Sequence, residues 1–138
     1  MRIKQIYARE ILDSKGTPTI STTVELEDGS IATGQVPSGA STGKTEVLEL
    51  RDNDLKRYRG KGVLDAVTNV NNLIGPKIVN KEFLSQESFD QYLIDLDGTE
   101  LKKNFGGNAI LSLSIAFAKA NAMSKNLPLY EYFGKLFW

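Results

Sequence analysis

One stretch of this sequence gathers residue types suited to a charged ligand: Val36-Pro37-Ser38-Gly39-Ala40-Ser41-Thr42-Gly43-Lys44-Thr45. Small side chains let a backbone approach an anion or a metal closely, and hydroxyls and a lysine can contact it. A phosphate-binding loop, G-x-x-x-x-G-K-[ST], is the first chemistry to test. Gly43-Lys44-Thr45 fits its end, but Ser38 stands five before Gly43, and Gly39 falls one residue late. Such a loop also opens a helix within a βαβ unit. Here Glu46-Val47-Leu48-Glu49-Leu50-Arg51-Asp52 is short and runs into the charged stretch Asn53 to Arg59. The context argues against a P-loop, and taken alone the segment reads as a surface loop.

Other acidic groups invite chemical readings. Asp95, Asp97 and Glu100 sit beside Gly98, where a helix should end, and read as a turn rather than a metal site. Glu46 and Glu49 with Arg51 and Asp52 read as packing and salt-bridge residues behind the loop, and Lys61 as a helix lead-in. The sequence has no histidine and no cysteine. Imidazole bases, thiolate nucleophiles and disulfides are therefore excluded. Seventeen basic and seventeen acidic residues, counted as Lys+Arg 17 and Asp+Glu 17, cancel. No global field draws in nucleic acid or an anionic membrane. The start, Met1-Arg2-Ile3-Lys4-Gln5, is not that of a signal peptide, and no apolar run is long enough for a membrane span. The expectation is a soluble, cytoplasmic protein.

The elements that must hold the loop follow from periodicity. A chain of 138 residues with 41% apolar content is one domain's worth. Ile3 to Ile11, Thr19 to Leu26 and Ile31 to Val36 read as strands, with Asp28-Gly29 between the last two as a hairpin signal. Beyond the loop the period becomes helical. Val63, Ala66, Val67, Val70 and Ile74 form one apolar stripe, which Gly75-Pro76 should stop or kink. Ser85 should cap a helix over Gln86 to Leu96. Asn108 to Lys125 reads as a helix apolar nearly all round, and Pro128 opens a short last helix from Leu129 to Phe133. Strands first and helices after predict an α+β fold: a three-stranded antiparallel meander followed by a helical bundle.

Pro37 to Gly43 followed by Glu46 to Asp52 closely resembles the mobile active-site loop of enolases. Further matches stand in the same order: Arg9-Glu10-Ile11-Leu12-Asp13-Ser14 with Gly16 and Pro18-Thr19, then Gly60-Lys61-Gly62-Val63, Asp95 to Thr99, Gly106 to Ile110 and Pro128-Leu129-Tyr130. The resemblance covers the whole chain. It implies an N-terminal capping domain over residues 1–138, whose partner is a C-terminal catalytic barrel absent from this chain; such a barrel takes ~250 residues. Enolases interconvert 2-phosphoglycerate and phosphoenolpyruvate with Mg²⁺, and the acid, base and metal carboxylates belong to the barrel. By resemblance Ser38 gives its hydroxyl and carbonyl oxygens to the second Mg²⁺, and Gly39, Ala40, Ser41 and Thr42 complete the substrate lid. The isolated chain is expected to be inactive and to bind no Mg²⁺, since two neutral oxygens cannot strip that ion of its water.

The resemblance also implies a homodimer, with Arg9 at the interface, and allows cell-surface or secreted forms. Departures are visible. Lys15 and Thr17 replace the usual arginine and asparagine of the first turn, and lysine lacks arginine's planar fork. Ser21 replaces a glutamate that pairs across the dimer, and Gly107 replaces an alanine with little consequence expected. Leu136, Phe137 and Trp138 look like part of a junction with the barrel, so the isolated domain is expected to self-associate. The competing reading is a stand-alone, non-catalytic binding or scaffolding module with the same cap fold.

Overall fold

The computed structural model describes residues 1–37 and 47–137. The three strands form nearly where expected, as β1 (Ile3–Leu12), β2 (Pro18–Leu26) and β3 (Ile31–Gln35). They make one antiparallel sheet in the order β1-β2-β3. Asp13 closes the first turn by accepting the backbone amides of Lys15 (2.8 Å) and Thr17 (2.9 Å). That closure engages only the backbone amides of Lys15 and Thr17, so their side chains do not set it. In the second turn Asp28 accepts the Ser30 amide at 2.9 Å and the Ser124 hydroxyl at 2.5 Å, which fixes the hairpin tip to the helical layer.

A single turn of 3₁₀ helix, Tyr58–Gly60, precedes the helices. Helix α1 (Leu64–Thr68) leads through a π-helical turn, Asn69–Ile74, into α2 (Gly75–Ile78). The chain does not stop at Gly75-Pro76. The wider π turn sits just before Pro76, where a proline ring disturbs the preceding helical turn, and the path continues to Ile78. Helix α3 (Gln86–Asp97) begins as expected. Ser85 and Ser88 form a reciprocal capping box, and Gly98 ends the helix in left-handed conformation at φ 75°. Helix α4 spans Gly107–Ser124, and α5 runs Leu129–Phe137, a turn longer than expected because Gly134 stays within the helix rather than ending it with a positive φ. Among the described residues no helix is long and apolar enough to cross a membrane.

Alternation decides which sheet face is covered. Ile20, Val24 and Leu26 of β2 are fully buried beneath α4. Thr22 and Ser112 share a hydrogen bond of 2.6 Å across that interface. Gly34 of β3 lies against α4 so closely that a Cβ there would overlap the Ser112 carbonyl oxygen and come within 2.6 Å of the Ala116 nitrogen. Phe89 of α3 stacks on Phe117 of α4 with ring centroids 4.1 Å apart, and Phe83 meets Phe89 edge-on at 5.0 Å. The other sheet face carries Tyr7, Arg9, Ser21, Thr23, Thr33 and Ile31, with Tyr7 and Ile31 exposed.

The free edge of β1 is largely closed. Ile3 exchanges backbone hydrogen bonds with Asn80 (2.8 Å) and Lys81 (3.0 Å). Further along, the Asn71 side chain accepts from the Ala8 amide at 2.7 Å and donates to the Ala8 carbonyl at 3.0 Å. One carboxamide thus satisfies a whole edge residue.

Helix α5 is joined to the rest by a buried polar chain. The Asn121 amide donates to the Tyr132 hydroxyl at 3.1 Å, and that hydroxyl donates to Gln86 Oε1 at 2.9 Å. Gln86 in turn donates to Asp90 and Ser114. Burial raises the Tyr132 pKa above its ordinary value of 10.0, opposed by the Asn121 hydrogen bond. The protonated form is therefore favoured in the fold. Its stabilisation is complete below the unfolded pKa and is lost as pH rises through the folded one. Tyr132→Phe should cost about 1–3 kcal/mol in denaturant unfolding at neutral pH, because Gln86 and Asn121 lose a buried partner. The difference from the unsubstituted chain should shrink above pH ~10.

Candidate functional site

Ser38, Gly39, Ala40, Ser41 and Thr42, expected as the lid, lie outside the described residues, as do Gly43 to Glu46. The limbs that enter and leave this stretch are both described. On the entering side the buried Thr19 hydroxyl donates to the Val36 carbonyl at 2.5 Å, and the Val36 amide reaches the Ile20 carbonyl at 3.4 Å. Val36 is thereby held to the end of β2.

The leaving limb, residues 47–52, has no regular structure, yet its backbone groups find partners along the start of α4. The Leu48 amide donates to the Leu101 carbonyl at 2.8 Å, and the Gly107 amide donates to the Leu48 carbonyl at 2.6 Å. Two residues on, Asn108 accepts from the Leu50 amide and donates to the Leu50 carbonyl, both at 3.1 Å. Gly106 makes room for this. Its φ of 90° favours glycine, and a Cβ there would lie 2.6 Å from both Asn108 Oδ1 and Leu50 Cβ. At Gly107 a Cβ would overlap Val47 Cγ1 and sit 3.2 Å from the Leu48 carbonyl oxygen. An alanine methyl there would require the half-exposed Val47 side chain to turn aside.

Beyond the limb stands a network of charges. Arg51 donates to the Pro18 carbonyl (2.5 Å), the Lys61 carbonyl (2.7 Å) and Glu49 Oε1 (2.6 Å). Asp52 accepts the amides of Leu64 and Asp65, both at 2.8 Å, and so caps the start of α1 from a distant part of the chain. Glu10 on β1 takes both guanidinium nitrogens of Arg57, one at 2.9 Å, and accepts the Val63 amide at 2.9 Å. The Arg57 hydrogen bond holds the Glu10 carboxyl below its usual 4.5, with help from the Val63 amide and the charges of Arg57 and Arg51 and against the effect of burial. This lock has a local strain to hold. Tyr58 and Arg59 adopt left-handed φ angles of 47° and 53°, which cost L-residues roughly 1–2 kcal/mol each.

The expected roles of Glu49, Arg51 and Asp52 as ion-pairing residues behind the loop hold in the structure. Lys61 contributes its backbone carbonyl to Arg51. Asp97 is buried and accepts from the Thr99 amide, the Thr99 hydroxyl and the Phe105 amide, so its turn role is also seen. Arg9 is exposed on the uncovered sheet face, opposite Ser21 in register. Among the described residues no group of three or more carboxylates could hold a metal ion. Glu10, Arg57 and Asn108 were not singled out from the sequence. Their partners lie 47 to 58 positions away, and no short spacing signals such pairs.

A family model described as enolase, N-terminal domain, matches residues 3–133. Enolase 1 of Chlorobaculum tepidum is 54% identical over 134 residues, which is 97% of this chain. The chain spans 31% of that relative's length.

Glu10→Gln should lower stability by about 1–2 kcal/mol at neutral pH, since it weakens charge-assisted hydrogen bonds to a partly exposed arginine. The Glu10 contribution is present above 4.5 and is lost as pH falls through the depressed folded value. The gap between the two proteins should therefore close on acidification. Gly107→Ala should destabilise by about 1–3 kcal/mol through overpacking against Val47. With Val47→Ala in place the same change should be neutral or stabilising, because alanine favours the helix by about 1 kcal/mol. Denaturant unfolding of the four proteins of that cycle measures the coupling directly.

Proposed function

The chain belongs to the enolase family as its N-terminal domain, and from that we propose that it is the lid-bearing cap of a lyase acting in glycolysis. The reaction is the interconversion of 2-phosphoglycerate and phosphoenolpyruvate, carried out in the cytoplasm by this cap together with a C-terminal barrel. The observation that carries the reading is the double anchoring of residues 38–46. Val36 is tied to β2 and Leu48 to Leu50 to the start of α4, so both limbs belong to one packed unit. A lid needs such a base, because a small displacement of a positioning group costs catalysis dearly.

In this reading Ser38 reaches the second magnesium with its hydroxyl and carbonyl oxygens, and Gly39, Ala40, Ser41 and Thr42 close over substrate and keep water out. The described residues do not fit a resident magnesium of their own. Glu10, Asp52 and Asp97 are each engaged by donors within the chain. The carboxylates that hold the ion, and the acid and base, are assigned to the barrel.

The uncovered sheet face is proposed as the homodimer surface of the longer protein. Arg9 is exposed there, Tyr7 and Ile31 add apolar area, and the neighbouring Ser21 hydroxyl is buried without a hydrogen-bond partner among the described residues. Such an orphan is costly unless something else satisfies it.

The test is turnover of 2-phosphoglycerate with Mg²⁺ by this chain alone and by the longer polypeptide with its barrel. Activity is expected only in the second, with kcat/KM reduced by ~10²-fold in its Ser38→Ala variant. A longer polypeptide that turns over nothing overturns the reading and leaves the scaffolding module in its place, whereas one that turns over substrate but is indifferent to Ser38→Ala overturns the lid reading alone.

A further inference from the structure

The geometry points to Asn108 as the positioning residue of the limb that leaves the lid, a role that rests on the lid reading above. Among the described residues its carboxamide bonds to one residue, Leu50. Oδ1 accepts the Leu50 amide and Nδ2 donates to the Leu50 carbonyl, both at 3.1 Å. The pairing reproduces a rung of an antiparallel ladder with a side chain in place of a strand. Only a carboxamide of this length offers a donor and an acceptor in one plane; aspartate has the shape but no donor. Asn108 is 4% exposed, so water is not at hand to replace either bond. The residue stands at the start of α4, the helix packed directly on the sheet. Gly106 leaves the space for Leu50 to lie against it. The bond two residues upstream, from the Gly107 amide to the Leu48 carbonyl, continues the same seam. From Leu48 onward the limb is therefore fixed to the core rather than a loose connection.

Asn71 supplies an internal control. It grips Ala8 with the same two bonds, at 2.7 and 3.0 Å, but on β1. Asn71→Asp and Asn108→Asp make the same chemical change, one away from the limb and one upon it.

The experiment uses the full-length protein. Both variants should unfold at lower temperature, but Asn108→Asp alone should lower kcat/KM for 2-phosphoglycerate, by ~10-fold or more. Aspartate keeps the acceptor of the Leu50 amide and loses only the donor to its carbonyl, so exchange at that amide is read in Asn108→Leu, where it should be faster, and in Asn71→Leu, where it should be unchanged. Equal losses of turnover in the two variants mean a merely structural role and overturn the proposal. Ser38→Ala separates the two levels. If it leaves turnover intact, the lid reading fails; if it slows turnover and Asn108→Asp does not, the positioning role alone fails. Should Asn108→Asp not fold, exchange in the unsubstituted protein decides. A Leu50 amide protected like those of α4, with and without 2-phosphoglycerate, supports a fixed anchor, and one that exchanges freely in either state overturns it.

Discussion

Where β3 crosses α4 the two backbones meet at Gly34, with no side chain between them and the Ala116 nitrogen within 2.6 Å of where a Cβ would be. The rest of the domain is registered from this contact. A helix held that close to a sheet needs a small-residue surface, and Ser112, Ala116 and Ala120 supply it, all fully buried. With α4 so placed, Phe117 presents a ring for Phe89 of α3, and Asn121 presents an amide for Tyr132 of α5. Its first turn presents Gly107 and Asn108 to the limb of the loop. Each of these neighbours thus meets α4 through a different chemistry, and Tyr132 joins α5 to α3 as well through Gln86.

Polar groups do much of the organising away from the aromatic core. Buried backbone amides and carbonyls must be paired, and here several are paired by side chains from distant segments. Asn71 serves β1 and Asn108 serves the limb, while Asp52 caps the exposed start of α1. The Glu10 to Arg57 pair has a further task, because it draws the strained Tyr58-Arg59 turn against the sheet. Its location at a partly exposed site limits what the charges alone contribute; its value lies in bringing the Val63 amide and the guanidinium to one carboxylate.

Much of this fold was legible because it is local. Asp28-Gly29 announced a hairpin, Ser85 and Gly98 bracketed α3, and the run from Ala109 to Ala122 announced a buried helix. The π turn before Pro76 was not legible, since an apolar stripe is much the same with one wider turn in it. Nor were the two asparagine clamps, because an asparagine at a helix start or within a helix carries no mark of the peptide it will meet. The candidate site divides the same way. Ser38 to Thr42 stood out by composition and by resemblance to enolases, and they lie outside the described residues, while Glu49, Arg51 and Asp52 could be placed as structural because charges so close in sequence rarely all point at a ligand. The anchors that make the loop usable, Asn108 and Glu10, depend on tertiary contacts that spacing does not encode.

The separate fastening of Val36 and of Leu48 to Leu50 bears on the length of the segment between them. A connection whose two ends are already pinned to one rigid body adds little to the cost of holding that body together, and lengthening it adds only about 0.6 kcal/mol per doubling. The closure cost between two such pins is therefore nearly independent of how many residues join them. A change of length there costs little closure entropy, whereas loss of a pin costs the fold a paired backbone group.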